Sequence, residues 1–242
     1  MSNPIYAVGD IHGQLGMLEG ALERIEKDGG SDAKVVFLGD LVDRGPDSAG
    51  VIDLLLKGMA AGRNWSVVRG NHDRMYSYFL EDQPRPDPQV LLGFDWFNDR
   101  IGGKTTLASY GIDIPENARY FQIHPVARDV IPDAHQKFMA DLPPYVLLED
   151  LLFVHAGIRP EIPLDEQTED DMCWIRHDFL NYTDPHPWLV VHGHTPGQSA
   201  VHMGNRINLD SGAGYNRPIT AAVFEGRACW TLGDAGRTPL VP

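Results

Sequence analysis

Cysteine is scarce: among 242 residues only Cys173 and Cys229 occur, and they form no CxxC pair. A disulfide framework is therefore excluded, and a reduced, cytoplasmic setting is the expectation. Long apolar runs are also missing. No stretch of about 18 apolar residues is available to cross a bilayer. The opening residues MSNPIYAVGD lack a basic segment leading into an apolar one, so no secretory signal is expected. Positive charge is short as well, with 20 Lys and Arg against 34 Asp and Glu and a formal net charge of −14. Such a surface has no general attraction for nucleic-acid phosphates or anionic lipid, so neither is expected as a partner. A local cationic site stays open, because bound metal ions count as positive charge. What is present is ordinary for a globular protein, 43% hydrophobic and 22% charged residues. We expect one domain over residues 1–242, acting as a monomer.

Short β-rich runs alternate with amphipathic ones. Ile5–Val8, Val35–Leu38, Trp65–Val68, Leu151–Val154 and Leu189–Val191 have strand length and composition. Between the first three, Leu15, Leu18, Leu22 and Ile25 share one helical face. Ser48–Ala60 follows Pro46 with Val51, Ile52, Leu55 and Met59 on another. This order predicts an α/β fold with parallel strands near its start. Towards the end, Arg206–Leu209, Ile219–Phe224 and Arg227–Trp230 read as strands, with Glu225-Gly226 as a hairpin turn. Pro84-Arg85-Pro86-Asp87-Pro88 breaks the chain and opens an insertion, roughly 82–144, read as irregular and as shaping a substrate groove. Its Trp96, Gly102-Gly103 and Tyr110 are candidates for the groove wall, with a satellite core as the competing role for the aromatics.

Polar residues follow each predicted strand: Gly9-Asp10-Ile11-His12-Gly13, Gly39-Asp40-Leu41-Val42-Asp43-Arg44-Gly45, Gly70-Asn71-His72-Asp73, His155-Ala156-Gly157 and Gly193-His194-Thr195. In open α/β sheets the carboxyl ends of strands share one edge, where ligands bind. Five such ends would gather carboxylate, imidazole and amide oxygen, a donor set suited to a borderline divalent ion. Asp10 and His12, two apart, would point the same way in an extended segment and bind one ion. Asp40 would bridge to a second, held by Asn71, His155 and one histidine of Val190-Val191-His192-Gly193-His194. Two ions about 3.5–4 Å apart suit in-line attack on phosphorus, with a water brought to a pKa near ~7.

GDIHG, GDLVDRG and GNHD, followed by the HAG and GHTP blocks, resemble the PPP branch of the calcineurin-like metallophosphoesterases across residues 9 to 196. Within that branch the resemblance is to small bacterial serine/threonine phosphatases. It implies a four-layer αββα sandwich, two mixed β-sheets flanked by helices. It also implies two divalent metal ions, manganese above all, with iron, zinc or nickel also suited. Asp10 and His12 would hold the first, Asp40 would bridge, and Asn71, His155 and His194 would hold the second. His72 would be the general acid and Asp43 its partner, with Arg44, Arg176 of a W-x-R element, and Asn71 binding phosphate. His192 is then a candidate donor behind the ligands, with a satisfied strand-end histidine as its equal alternative. The implied reaction is hydrolysis of phosphoserine or phosphothreonine on proteins by metal-activated hydroxide. Diadenosine tetraphosphate hydrolases of the same family are the alternative, with a phosphorylated small molecule as substrate. They typically lack the acidic residue at Asp43, whose presence tilts the reading towards phosphoproteins, although Asp73 stands where the protein phosphatases usually carry Glu. A catalytically silent phosphoprotein-binding protein is disfavoured by the completeness of the set.

Overall fold

The computed structural model describes residues 3–91, 93–116 and 118–242. β1 (Ile5–Val8), α1 (Leu15–Gly29), β2 (Lys34–Phe37), α2 (Ser48–Ala60), β3 (Trp65–Val67) and α3 (Asn71–Leu80) follow as a repeating strand–helix run. α4 (Gly103–Ser109), α5 (Tyr120–Val130) and α6 (Asp133–Ala140) come next, then β4 (Tyr145–Leu148) and β5 (Leu151–Val154). α7 (Glu169–Trp174) and α8 (His177–Leu180) precede β6 (Leu189–His192). β7 (Val201–His202), β8 (Arg206–Asn208), β9 (Ala221–Glu225), β10 (Ala228–Gly233) and β11 (Gly236–Pro239) close the chain.

The strands form two mixed sheets, ordered β11-β10-β9-β1-β2-β3 and β4-β5-β6-β8-β7. β1, β2 and β3 are parallel, as the sequence predicts, and β9 and β10 form the expected antiparallel hairpin around Gly226. Both faces of β1 and β2 are buried, which explains their unbroken apolar composition. Alternation then sorts the side chains. Ile5, Ala7, Val36 and Leu38 face the second sheet, meeting Leu151, Phe153, Val191 and Ile207. Tyr6, Val8, Val35 and Phe37 face the other way, onto Leu18 and Ile25 of α1 and Val51, Ile52 and Leu55 of α2. On the far side of the second sheet, Leu152, Val154 and Val190 meet Met172, Ile175 and Phe179. The result is the expected four-layer sandwich. Burying each such Leu, Ile or Phe contributes about 1.5–3 kcal/mol, so the three apolar layers, not the short ladders, hold the site rigid.

The segment 82–144 is corrected from irregular to partly helical: α4, α5 and α6 stand within it. The sequence signal was blurred because Pro125 lies inside α5 and α4 spans only seven residues. Its opening loop is anchored by Arg74, which lies on α3 and is fully buried. The guanidinium donates to both Asp87 oxygens, at 2.7 and 2.9 Å, and to Asp170 at 2.6 Å. Trp96 and Tyr110 belong to the main core on the helix side of the first sheet, not to a satellite cluster. Among the described residues of the segment, only Ile101 lines the cleft described below.

Candidate metal and phosphate site

All five polar strand ends meet along one edge of the sandwich. Asp10, His12, Asp40, Arg44, Asn71, His72, Arg176 and His194 line a cleft of about 140 Å³. The backbone there is unusual. Of eight non-glycine residues with positive φ among the described residues, five are His12, Asp40, Asp43, Arg44 and His194. Left-handed backbone is disfavoured by the Cβ and is tolerated where surrounding structure enforces it, as at functional sites. Asp10 and His12 do converge, but through a turn and not an extended segment. Ile11 N and His12 N both donate to Asp40 O, at 3.1 and 2.7 Å, and His12 has φ of 49°.

Hydrogen bonds behind the imidazoles fix which nitrogen faces the cleft. His155 Nδ1 donates to Leu38 O at 2.8 Å, leaving the lone pair of Nε2 directed at Asn71 Oδ1 (2.9 Å) and Asp40 Oδ1 (3.4 Å). His194 Nδ1 lies 2.8 Å from the same Asn71 oxygen. His12 Nδ1 donates to Val42 O at 3.0 Å, leaving Nε2 facing Asp40 Oδ2 at 3.5 Å. Burial pushes His12, His155 and His194 below the usual imidazole range, so all three are neutral and ready to coordinate. Burial, with Asp210 and Asp40 nearby, raises Asp10. Burial likewise pushes Asp210 up to about 6.

This donor set fits divalent cations. At His155 and His12 the imidazole lone pairs point at amide and carboxylate oxygens with no proton between them, and the crowded carboxylates repel unless positive charge joins them. Two clusters share Asp40: one with His155 and His194, the other with His12 and His72. Asp10 lines the same cleft outside both clusters, its carboxylate accepting from His194 N at 3.1 and 3.2 Å.

Beside the clusters, His72 Nδ1 donates to Asp43 Oδ2 at 2.7 Å, and its backbone N–H donates to Asp40 Oδ1 at 2.9 Å. Arg44 reaches across the cleft, donating to His12 Nε2 at 2.9 Å and His72 Nε2 at 3.1 Å. Arg176 does reach the cleft. It sits between α7 and α8, donating to Thr195 Oγ1 at 3.2 Å. Asp178, two residues further on, pairs with Arg159 and leaves Arg176 to the cleft. His192 does not join the ligands. Strand alternation turns it towards α8, where it packs edge-on against Phe179, and its Nδ1 donates to Gly193 O at 3.0 Å. Burial lowers its pKa to about 3, so it is a neutral packing residue. His194 differs because the chain has already left the strand. Sequence reading missed Asp210 and Tyr215 in the cleft wall; Asp210 directly follows the predicted strand Arg206–Leu209, whose end was left unread.

A two-sheet sandwich with paired carboxylate–imidazole pockets at its strand ends and two arginines in the same cleft defines a metal-dependent phosphohydrolase. The Calcineurin-like phosphoesterase family profile matches residues 3–221, and the chain belongs to that family. It is a hydrolase of phosphoester bonds, of a family that uses a dinuclear divalent centre. It is 25% identical over 242 residues to bis(5'-nucleosyl)-tetraphosphatase PrpE [asymmetrical] of Geobacillus thermodenitrificans, covering 88% of this chain and 87% of the relative. The protein of the same name from Anoxybacillus flavithermus is 26% identical over 207 residues, 78% of this chain and 74% of that one. The crystal structure of the cold-active protein-tyrosine phosphatase of a Shewanella species shares the fold at TM-score 0.64 and 18% identity, covering 100% of this chain and 81% of that one. Among the described residues no helix is long and apolar enough to cross a membrane.

Proposed function

We propose that this protein hydrolyses bis(5'-nucleosyl) tetraphosphates at a dinuclear metal centre, by single-step in-line displacement. The observation that carries the mechanism is the pair of donor clusters sharing Asp40, flanked by Arg44 and Arg176 in one cleft. Asp10, His12 and Asp40 would hold one ion, and Asp40, Asn71, His155 and His194 the other. Two divalent ions there supply Lewis-acid charge and an activated water. The guanidiniums of Arg44 and Arg176 grip the equatorial phosphoryl oxygens, where a planar bidentate donor is favoured. With Arg44 drawn from His72 Nε2 onto the bound phosphoryl group, that nitrogen would be free to carry a proton to the leaving oxygen as the P–O bond breaks, while Asp43 fixes the ring from Nδ1. No cysteine lines the cleft, so a thiol-phosphate intermediate has no support.

Two features support the nucleotide reading. The curated relatives that cover most of the chain carry the tetraphosphatase name. At the rim Tyr215 is 58% exposed, with the Arg44 and Arg217 guanidiniums 5.2 and 5.8 Å from its ring, an aromatic face on which a base could stack. The cleft itself has room for a phosphoryl group, so the rest of any substrate lies along the rim. A second reading, phosphoserine or phosphothreonine on proteins, is favoured by the His72–Asp43 pair. A serine alkoxide leaves far more reluctantly than a phosphate oxygen, whose pKa is about 6, so a positioned acid helps it more. Parallel turnover of diadenosine tetraphosphate and a phosphopeptide by manganese-reconstituted protein tests the choice. Faster cleavage of the dinucleotide is expected; faster cleavage of the phosphopeptide would put the second reading first.

A further inference from the structure

We infer that the segment Trp96–Thr106 is the positioning element of the acid pair: Trp96 and Thr106 fix the Asp43 carboxylate and, through it, the His72 ring. This rests on the proposed role of His72 as general acid. Asp43 is completely buried. Its Oδ1 accepts from the Thr106 hydroxyl at 2.7 Å and from Trp96 Nε1 at 3.1 Å. Its Oδ2 accepts from Trp96 Nε1 at 2.9 Å and from His72 Nδ1 at 2.7 Å. The Asp43 backbone N–H donates to Thr106 Oγ1 at 2.9 Å and Ser48 Oγ at 3.2 Å, so the threonine hydroxyl grips both ends of the residue. With donors on both oxygens, the carboxylate has one orientation, and that orientation sets the plane of the imidazole.

The grip is itself rigid. The Trp96 indole packs against Phe79 at 5.0 Å and edge-on against Tyr76 at 5.8 Å, and Trp96 N donates to Tyr120 Oη at 2.7 Å. Gly102 and Gly103 let the segment close on the site. A Cβ on Gly102, whose φ is 100°, would lie 2.5 Å from Arg44 N, and one on Gly103 would lie 2.5 Å from the Trp96 ring. Thus Trp96 and Gly102-Gly103, candidates in the sequence for a groove wall, lie behind the site, against Asp43 and Arg44. Neither Trp96 nor Thr106 lines the cleft, so both act through Asp43 and neither touches substrate.

Core packing alone would give these residues the same burial, so the test reads the acid. Thr106→Val keeps the shape and removes the hydroxyl; Thr106→Ser keeps the hydroxyl; Trp96→Phe removes the indole N–H. On phenyl phosphate, whose leaving oxygen needs a proton, Thr106→Val should lower kcat about 10-fold or more with KM and bound metal unchanged. On dinitrophenyl phosphate, whose leaving oxygen departs unprotonated, the loss should shrink to about 2-fold or less. Thr106→Ser should restore the phenyl phosphate rate, and Trp96→Phe should follow Thr106→Val. The His72 Hδ1 resonance, assigned by its absence in His72→Asn, should persist in Thr106→Ser and move or broaden in Thr106→Val. Equal losses on both substrates, no loss on either, or an unmoved Hδ1 resonance in Thr106→Val would overturn the inference. Failure of the wild-type protein on phenyl phosphate, dinitrophenyl phosphate and diadenosine tetraphosphate alike would instead overturn the phosphohydrolase reading beneath it.

Discussion

The sharpest test of the metal assignment is Gly193→Ala. Gly193 separates the packing histidine His192 from the proposed ligand His194, and its φ is not in the left-handed region, so alanine can adopt the backbone. The obstacle is space. A Cβ there would sit well inside 3.0 Å of Asp10 Oδ1, closer than real Cβ atoms approach anything. Asp10 is buried between sheets and must retreat by about 1 Å, giving up the hydrogen bonds from His194 N. Coordination tolerates only about 0.2 Å around an oxygen–metal distance of about 2.0–2.2 Å, so that retreat removes the ligand. The fold pays less: overpacking of this size costs about 1–3 kcal/mol, a drop of several degrees in melting temperature. Dialysed Gly193→Ala protein should therefore melt cooperatively, hold about one ion per chain by mass spectrometry, and turn over phenyl phosphate at least about 100-fold more slowly. A variant retaining two ions and wild-type turnover would refute the placement of Asp10 as a ligand.

Three further outcomes are expected. His72→Asn should keep its metal while turnover on phenyl phosphate falls by about 10²–10⁴-fold, and full activity would remove His72 as the acid. Arg74→Met leaves the buried Asp87 carboxylate without its guanidinium and should cost about 3–5 kcal/mol in urea unfolding. Arg74→Met combined with Asp87→Asn should recover part of that loss, and a single-variant cost below about 1 kcal/mol would contradict the uncompensated-charge argument. Alkaline stability carries a signature of burial. The Cys229 thiol is pushed up to about 12, and Tyr6 to about 12, burial being the main cause in each. A raised folded pKa means the neutral thiol contributes its full stability below about pH 9 and loses it as pH rises towards 12. Melting temperature should fall over that window, and less steeply in Cys229→Ala; parallel curves would show that the thiol does not take part.

Strands and motifs were legible because they obey local rules. Leu151–Val154 and Ile5–Val8 are short, apolar and bounded by polar turns, and GDLVDRG names its own chemistry. What depended on distance was not legible. Trp96 and Thr106 lie 53 and 63 residues from the Asp43 they hold, and no spacing announces such a contact. Helix α5 was hidden by Pro125. His192 was ambiguous because period-two alternation holds only while the strand lasts, and His194 lies beyond its end. Substrate was least legible: Asp43 tilted the reading towards phosphoproteins, whereas the curated relatives carry a nucleotide-cleaving name.

The two sheets share no ladder, yet the site draws on both. Asp10, His12, Asp40 and Asn71 follow strands of the first sheet, while His155 and His194 follow strands of the second. The bonds that aim them, His155 to Leu38 O and His194 N to Asp10, cross the seam. A cation held there is a rivet between two plates that otherwise meet through apolar side chains and a few hydrogen bonds. Ligand binding at 100 times the dissociation constant adds about 2.7 kcal/mol to a folded state. Chelation should therefore loosen the plates before it unravels either one, and the hold on the ion becomes a gauge of how well the halves have closed.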